Sequence, residues 1–205
     1  MKSRKHIWIV LTLLFVLPLI AYTKIQNRYS KEVNNVSRPY KADWLVSPEE
    51  EPAGDHKVSN APECDIKGVL SCYDKDKLRV DILLNKPISY DFKIWYAIKF
   101  EYSDMIEYYT YYPVSGDLVY EKEVEGEIVD TQSLKEDEVD YAGVTDSGGE
   151  KNIDVYIIID KDKHIAGDKG KKYFLTTTFY SGFLDEKDKM HIADETPPVN
   201  LYFKR

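Results

Sequence analysis

Beyond about residue 60 the chain repeatedly alternates apolar with polar side chains. Leu78, Val80, Ile82 and Leu84 are separated by Arg79, Asp81 and Leu83, and a period of two sends one set to each face of a sheet. Phe92, Ile94, Tyr96, Ile98, Phe100 and Tyr102 repeat the pattern, with Lys93, Lys99 and Glu101 in the outward set. A helix needs spacings of three and four and would scatter these aromatics around its circumference. Both segments are therefore predicted as strands.

Weaker versions of the signal follow. Leu118, Tyr120 and Val124 lead to a turn near Gly126 and a return through Ile128 and Val129, which is hairpin spacing. Ile153, Val155, Ile157 and Ile159 form a very apolar strand, with Ile158 on its opposite face. Tyr173 to Tyr180 is rich in Thr, and β-branched residues favour strands. Val199, Leu201 and Phe203 make a last strand after Pro197 and Pro198, and Val69–Tyr73 and Met105–Tyr112 are further strand segments. Only Ser133–Val139 hints at helix, through the capping-box spacing of Ser133 and Glu136. Gly143, Gly148 and Gly149 read as a turn. The expected fold class is all-β, an antiparallel β-sandwich of about eight strands.

What precedes it has another character. Lys2, Arg4 and Lys5 lead into Ile7–Tyr22, an uncharged apolar run, and a basic flank before such a run is the mark of a segment sent to a membrane. Residues 1–23 are read as a signal peptide or membrane anchor in the form of an apolar helix. The run suits a cleaved signal core or a tilted span, and Thr23, a mediocre residue at a cleavage site, tips the balance to the anchor. Residues 24–63, punctuated by Pro39, Pro48, Pro52 and Pro62, read as a disordered polar tether, with Trp44, Leu45 and Val46 as an apolar patch expected to dock on the domain. Residues 64–205 are the folded domain, long enough to bury a core unaided. Its place is extracytoplasmic, held to the membrane by the N-terminus or secreted.

Charge sharpens that picture. The chain holds 28 basic and 36 acidic residues, and six of the basic ones fall within residues 1–31 with no acid, so residues 32–205 carry 22 against 36, a formal charge of −14. Such a surface repels phosphate backbones and excludes nucleic acid as a partner. Outside the cytosol, Cys64 and Cys72 are expected to pair as a disulfide that closes a short loop. Their spacing fits neither a zinc site nor a thioredoxin-like pair.

Candidate chemistry concentrates in two places. Ile153–Thr177 runs as a strand ending in Asp160-x-Asp162, then Gly167, then a second strand opening with Tyr173. This hairpin resembles one in secreted β-sandwiches of the DOMON and family-9 carbohydrate-binding type, although His164, Ile165 and Ala166 stand where those domains often carry Asn-Pro and Thr-Gly. The resemblance implies a secreted sandwich. Asp160, Asp162 and Asp168 at one end of it would offer hard oxygens to Ca²⁺, while Asp and Gly are also what an ordinary exposed turn uses. The second place is the run of Tyr108, Tyr109, Tyr111 and Tyr112. Tyrosine brings area and a hydroxyl at low entropic cost, so these four are candidate ligand-binding residues. No H-E-x-x-H, Gly-x-Ser-x-Gly or phosphate loop is present. The expected function is a non-enzymatic binding or adhesion module for carbohydrate or a surface protein. A hydrolase using surface carboxylates and a structural envelope component are the alternatives.

Overall fold

The computed structural model describes residues 43–49, 61–74, 77–90, 93–134, 140–147, 150–160 and 172–204. The apolar N-terminal segment, with the expected helix and most of the expected tether, lies outside them. Among the described residues, no helix is long and apolar enough to cross a membrane.

Among the described residues there are twelve strands, more than the eight or so that the alternation predicts. They are β1 (Asp43–Val46), β2 (Ile66–Asp74), β3 (Lys77–Leu84), β4 (Ile94–Glu101), β5 (Ile106–Tyr112), β6 (Asp117–Val124), β7 (Glu127–Leu134), β8 (Tyr141–Ser147), β9 (Glu150–Asp160), β10 (Lys172–Leu184), β11 (Met190–Glu195) and β12 (Val199–Lys204). One sheet has the order β1-β2-β3-β9-β8; the other runs β11-β10-β4-β5-β6-β7, with β12 also on β10. Neighbours are antiparallel throughout. The strands that the pattern does not reveal are β1, β8 and β11. β1 is short, β8 contains Gly143, and β11 points Met190 and Ile192 outward while Ala193 and Asp194 are buried.

The inward rows of both sheets join in one buried cluster. Val80, Ile82 and Leu84 come from β3, Ile98 and Phe100 from β4, and Phe179 from β10. Val46 of β1 belongs to this cluster and Leu45 packs against it, so the apolar patch at Trp44–Val46 docks as a strand inside the stretch that composition reads as tether. The β6–β7 turn is Glu125-Gly126, both with positive φ, 53° and 84°, the two-residue geometry whose twist matches the flanking strands. Of the stretch expected to hint at helix, Ser133 and Leu134 belong to β7, and residues 135–139 lie outside the described residues.

A short 3₁₀ turn, Pro62–Cys64, ties the first sheet to the second. Tyr96 donates its hydroxyl proton to the Glu63 carbonyl (2.9 Å), and Ser181 donates to the Cys64 carbonyl. Asp194, buried, accepts the Ile66 amide at 2.8 Å and the Glu195 amide at 2.9 Å. Each bond supplies a partner to a polar group that would otherwise be costly to enclose.

Cys64 and Cys72 are not joined, contrary to the expected disulfide. Cys64 ends the 3₁₀ turn, whereas Cys72 lies well along β2. Extended chain from Ile66 to Cys72 covers about 20 Å at ~3.3 Å per residue, and a disulfide tolerates no more than about 7 Å between Cα atoms. Cys64 is instead buried with its thiol toward the Gly182 carbonyl at 3.5 Å. Burial first, then the nearby Glu63 and Asp194, push its pKa up to about 12, which leaves the thiolate scarce at neutral pH. Thiol titration without reductant should therefore find both cysteines reactive in denaturant, with Cys64 silent in the native chain. Recovery of a peptide disulfide linking the two after non-reducing digestion would contradict the fold.

Candidate functional site

The four candidate tyrosines share β5 but not one surface. Tyr109 and Tyr111 are buried and belong to the core, while Tyr108 and Tyr112 are half-buried on the outer face of the seven-stranded sheet. Tyr109 packs edge-on against Phe100 with ring centroids 5.8 Å apart. Inward beside them lies Glu107, a buried carboxylate that accepts the Tyr102 hydroxyl at 2.8 Å and the Tyr120 hydroxyl at 3.0 Å. Burial, then the Glu107 charge, raises the pKa of Tyr120, so the phenol stays a donor. This inward group is structural.

The outward residues form the candidate site. In β4 the alternation places Trp95 and Ala97 outside, and both are buried there. Trp95 stands opposite Gly182 of β10. A Cβ at Gly182 would lie 2.4 Å from Trp95 Cζ2, 2.6 Å from Cε2 and 2.1 Å from the His191 carbonyl oxygen. Glycine is thus what lets the indole rest on the sheet and lets β11 approach. Tyr112 continues this row on β5, and its hydroxyl reaches the Met190 sulfur on β11 at 3.8 Å, spanning the strands that carry Trp95 and Gly182. Trp95 is only 3% exposed, whereas Met190 and Ile192 are 44% and 47% exposed.

One feature of this surface is chemically incomplete. The indole Nε1–H of Trp95 is buried and has no hydrogen-bond acceptor among the described residues, a state that costs about 1–3 kcal/mol. The indole edge bearing it lies toward Gly182. Farther along the same face, opposite Lys99 rather than Trp95, Tyr108 donates to Glu123 Oε2 at 3.3 Å. Burial, followed by the Glu123 charge, pushes the Tyr108 pKa up to about 12.

The hairpin joining β10 to β11 holds Met190 and Ile192 in place. Asp185 accepts the amides of Lys187 (2.8 Å) and Lys189 (3.0 Å) on one oxygen, and its other oxygen meets His191 Nε2 at 3.0 Å. The His191 ring stacks on Phe183, centroids 5.2 Å apart. The His191 hydrogen bond, then the two amides, lower the Asp185 pKa from 3.8 to about 2.

Of the proposed Ca²⁺ ligands, Asp160 ends β9, half-buried, with its amide donating to Asp140 Oδ1 at 2.6 Å. Asp162 and Asp168 lie outside the described residues. Among the described residues, no group of three or more His, Cys, Asp or Glu side chains is placed to hold a metal. Compared with protein-family models, curated proteins and solved structures, the chain matches none.

Sequence reasoning located Tyr108 and Tyr112 and missed Trp95, Gly182, Met190 and Ile192. A signal for them existed: Trp95 and Ala97 are apolar at outward positions, and Gly182 interrupts a strand rich in Thr and aromatics. Glycine inside a strand marks close approach of another group.

A depressed carboxyl pKa stabilises the fold above the unfolded value and loses that effect as pH falls through the folded one. The β10–β11 hairpin should therefore loosen between pH 3.8 and about 2, seen as faster amide exchange at Lys187 and Lys189, and Asp185→Asn should flatten the response in that window. Gly182→Ala should cost at least ~2 kcal/mol by overpacking, measured by urea unfolding, with red-shifted Trp95 emission in a chain whose Trp8 and Trp44 are replaced by Phe.

Proposed function

We propose that the chain is an exported, non-enzymatic binding module, and that the outer face of the seven-stranded sheet around Trp95 receives a surface protein. The observation that carries this reading is the Trp95 N–H, buried without an acceptor among the described residues, on the sheet face where the Tyr112 hydroxyl reaches the Met190 sulfur. A partner carbonyl or carboxylate that displaces Met190 would meet that donor and bury Met190, Ile192 and Tyr112. Interfaces are enriched in aromatic residues and Met, and thioether side chains repack readily on a new surface.

Protein is favoured over sugar because a pyranose stacks on a bare aromatic face, whereas Trp95 is only 3% exposed and the open side chains beside it are Met190 and Ile192. The resemblance of residues 153–177 to DOMON and family-9 carbohydrate-binding domains keeps sugar as the second arm of the test. Export rests on Lys2, Arg4 and Lys5 ahead of the apolar run Ile7–Tyr22, which supports an extracytoplasmic domain, secreted or held at a membrane.

The reading is tested with a displayed peptide library and an immobilised oligosaccharide panel. Trp95→Phe removes the unmatched donor and some ring area, opposing effects of about 1 kcal/mol each, so the melting temperature should change little. Peptides selected on the native chain should bind the Trp95→Phe and Met190→Ser variants at least ~10-fold more weakly, about 1.4 kcal/mol. Equal binding by both variants, or selection of sugars alone, would sink the protein reading.

A further inference from the structure

The seven-stranded sheet ends on β7, which pairs with β6 and, among the described residues, with no strand on its other side. A strand in that position presents unmatched N–H and C=O groups along its free edge. All of β7 but Leu134 lies open or half-open to solvent, and Ile128 and Val129 are 51% and 58% exposed. The register shifts opposite Lys122 and Glu123, so that Val129 is the extra residue of a bulge and Asp130–Leu134 remain in regular pairing.

Charge selects what can add there. Residues 117–134, the whole β6–β7 hairpin, contain six acids (Asp117, Glu121, Glu123, Glu125, Glu127, Asp130) and one base, Lys122. A second copy would bring the same excess of negative charge to the edge and be repelled, whereas a basic segment would be drawn in. We propose that the β7 edge accepts an extended, Lys- or Arg-bearing segment of a partner protein as an added antiparallel strand. Main-chain hydrogen bonds along Asp130–Leu134 hold it, Ile128 and Val129 offer apolar contact beside the bulge, and the acids set its sign. Such addition is a recognised mode of peptide capture. It rests on the β7 edge and is independent of the Trp95 face.

The test is amide hydrogen exchange on the full chain in mild detergent, with a seven-residue peptide alternating lysine and valine, and a glutamate-valine counterpart, each at about 1 mM, the range of weak association. The lysine peptide should slow exchange of Thr131–Leu134 at least ~10-fold and do so less at high salt, and the glutamate peptide should have no effect. Glu125→Lys with Glu127→Lys, both at exposed positions away from Lys122, should reduce the protection by at least ~3-fold while the circular dichroism stays that of the native chain. Equal protection by the two peptides, no protection at β7, protection around Trp95 in its place, or a dimer in sedimentation that shields β7 without peptide would each overturn the proposal.

Discussion

Between β4 and β10, eight residue pairs run in unbroken register from Thr176 opposite Glu101 to Phe183 opposite Ile94. A slip of one residue in a sheet exchanges its two faces, and here both faces are committed. Inward, Ile94, Tyr96, Ile98 and Phe100 meet Thr177, Phe179 and Ser181 in the core; outward, Trp95 meets Gly182. A shift would drive the indole against an inward side chain and place Phe179 in solvent. This ladder therefore fixes which residues are core and which are surface across the sheet, because β5, β6 and β7 take their register from β4, and β11 and β12 from β10.

The inward half of that ladder was legible and the outward half was not, for a physical reason. Period two identifies a strand from whichever row is uniformly apolar, and Phe92–Tyr102 supplied such a row. It says nothing about whether the opposite row is wet. Trp95 and Ala97 are buried, and Gly182, distant in sequence, leaves room for the indole against the sheet. Only the strand order brings these residues together. β11 was hidden by the inverse effect: its apolar Met190 and Ile192 face out and its acid Asp194 faces in, where the Ile66 amide gives it a partner. The expected Cys64–Cys72 bridge followed from compartment and spacing, but β2 runs extended from Ile66 through Cys72, and extended chain keeps the two residues apart.

The tyrosine run shows how one strand can do two kinds of work. Tyr109 and Tyr111 complete the core, and Tyr102 and Tyr120 give hydrogen bonds to Glu107, which lets a carboxylate sit inward of β5. Enclosing a carboxylate is costly unless charge-assisted hydrogen bonds offset the lost hydration. Tyr108 and Tyr112, one position away in each case, have their hydroxyls on the other side of the sheet, toward Glu123 and Met190. Composition revealed the excess of tyrosine, and adjacency revealed that both faces must share it. Which pair reaches solvent depended on the β4–β5 register.

The outer faces of the two sheets differ in how far they satisfy themselves. On the five-stranded sheet, Arg79 Nε donates to both carboxylate oxygens of Asp81 at 2.9 Å while its guanidinium lies 4.9 Å from the Tyr156 ring centroid, and Lys77 lies 5.6 Å from the Tyr141 centroid. Cation, carboxylate and ring are matched there within the sheet, and a partner would have to displace those contacts before making its own. On the seven-stranded sheet the Trp95 donor is buried without an acceptor among the described residues, and on the same face a hydroxyl and a thioether, Tyr112 and Met190, meet at 3.8 Å. Breaking that contact forfeits little, and any acceptor that reaches the donor removes an existing penalty. The difference in what must be given up, more than any difference in apolar area, is why the binding proposed for this domain is assigned to the Trp95 side.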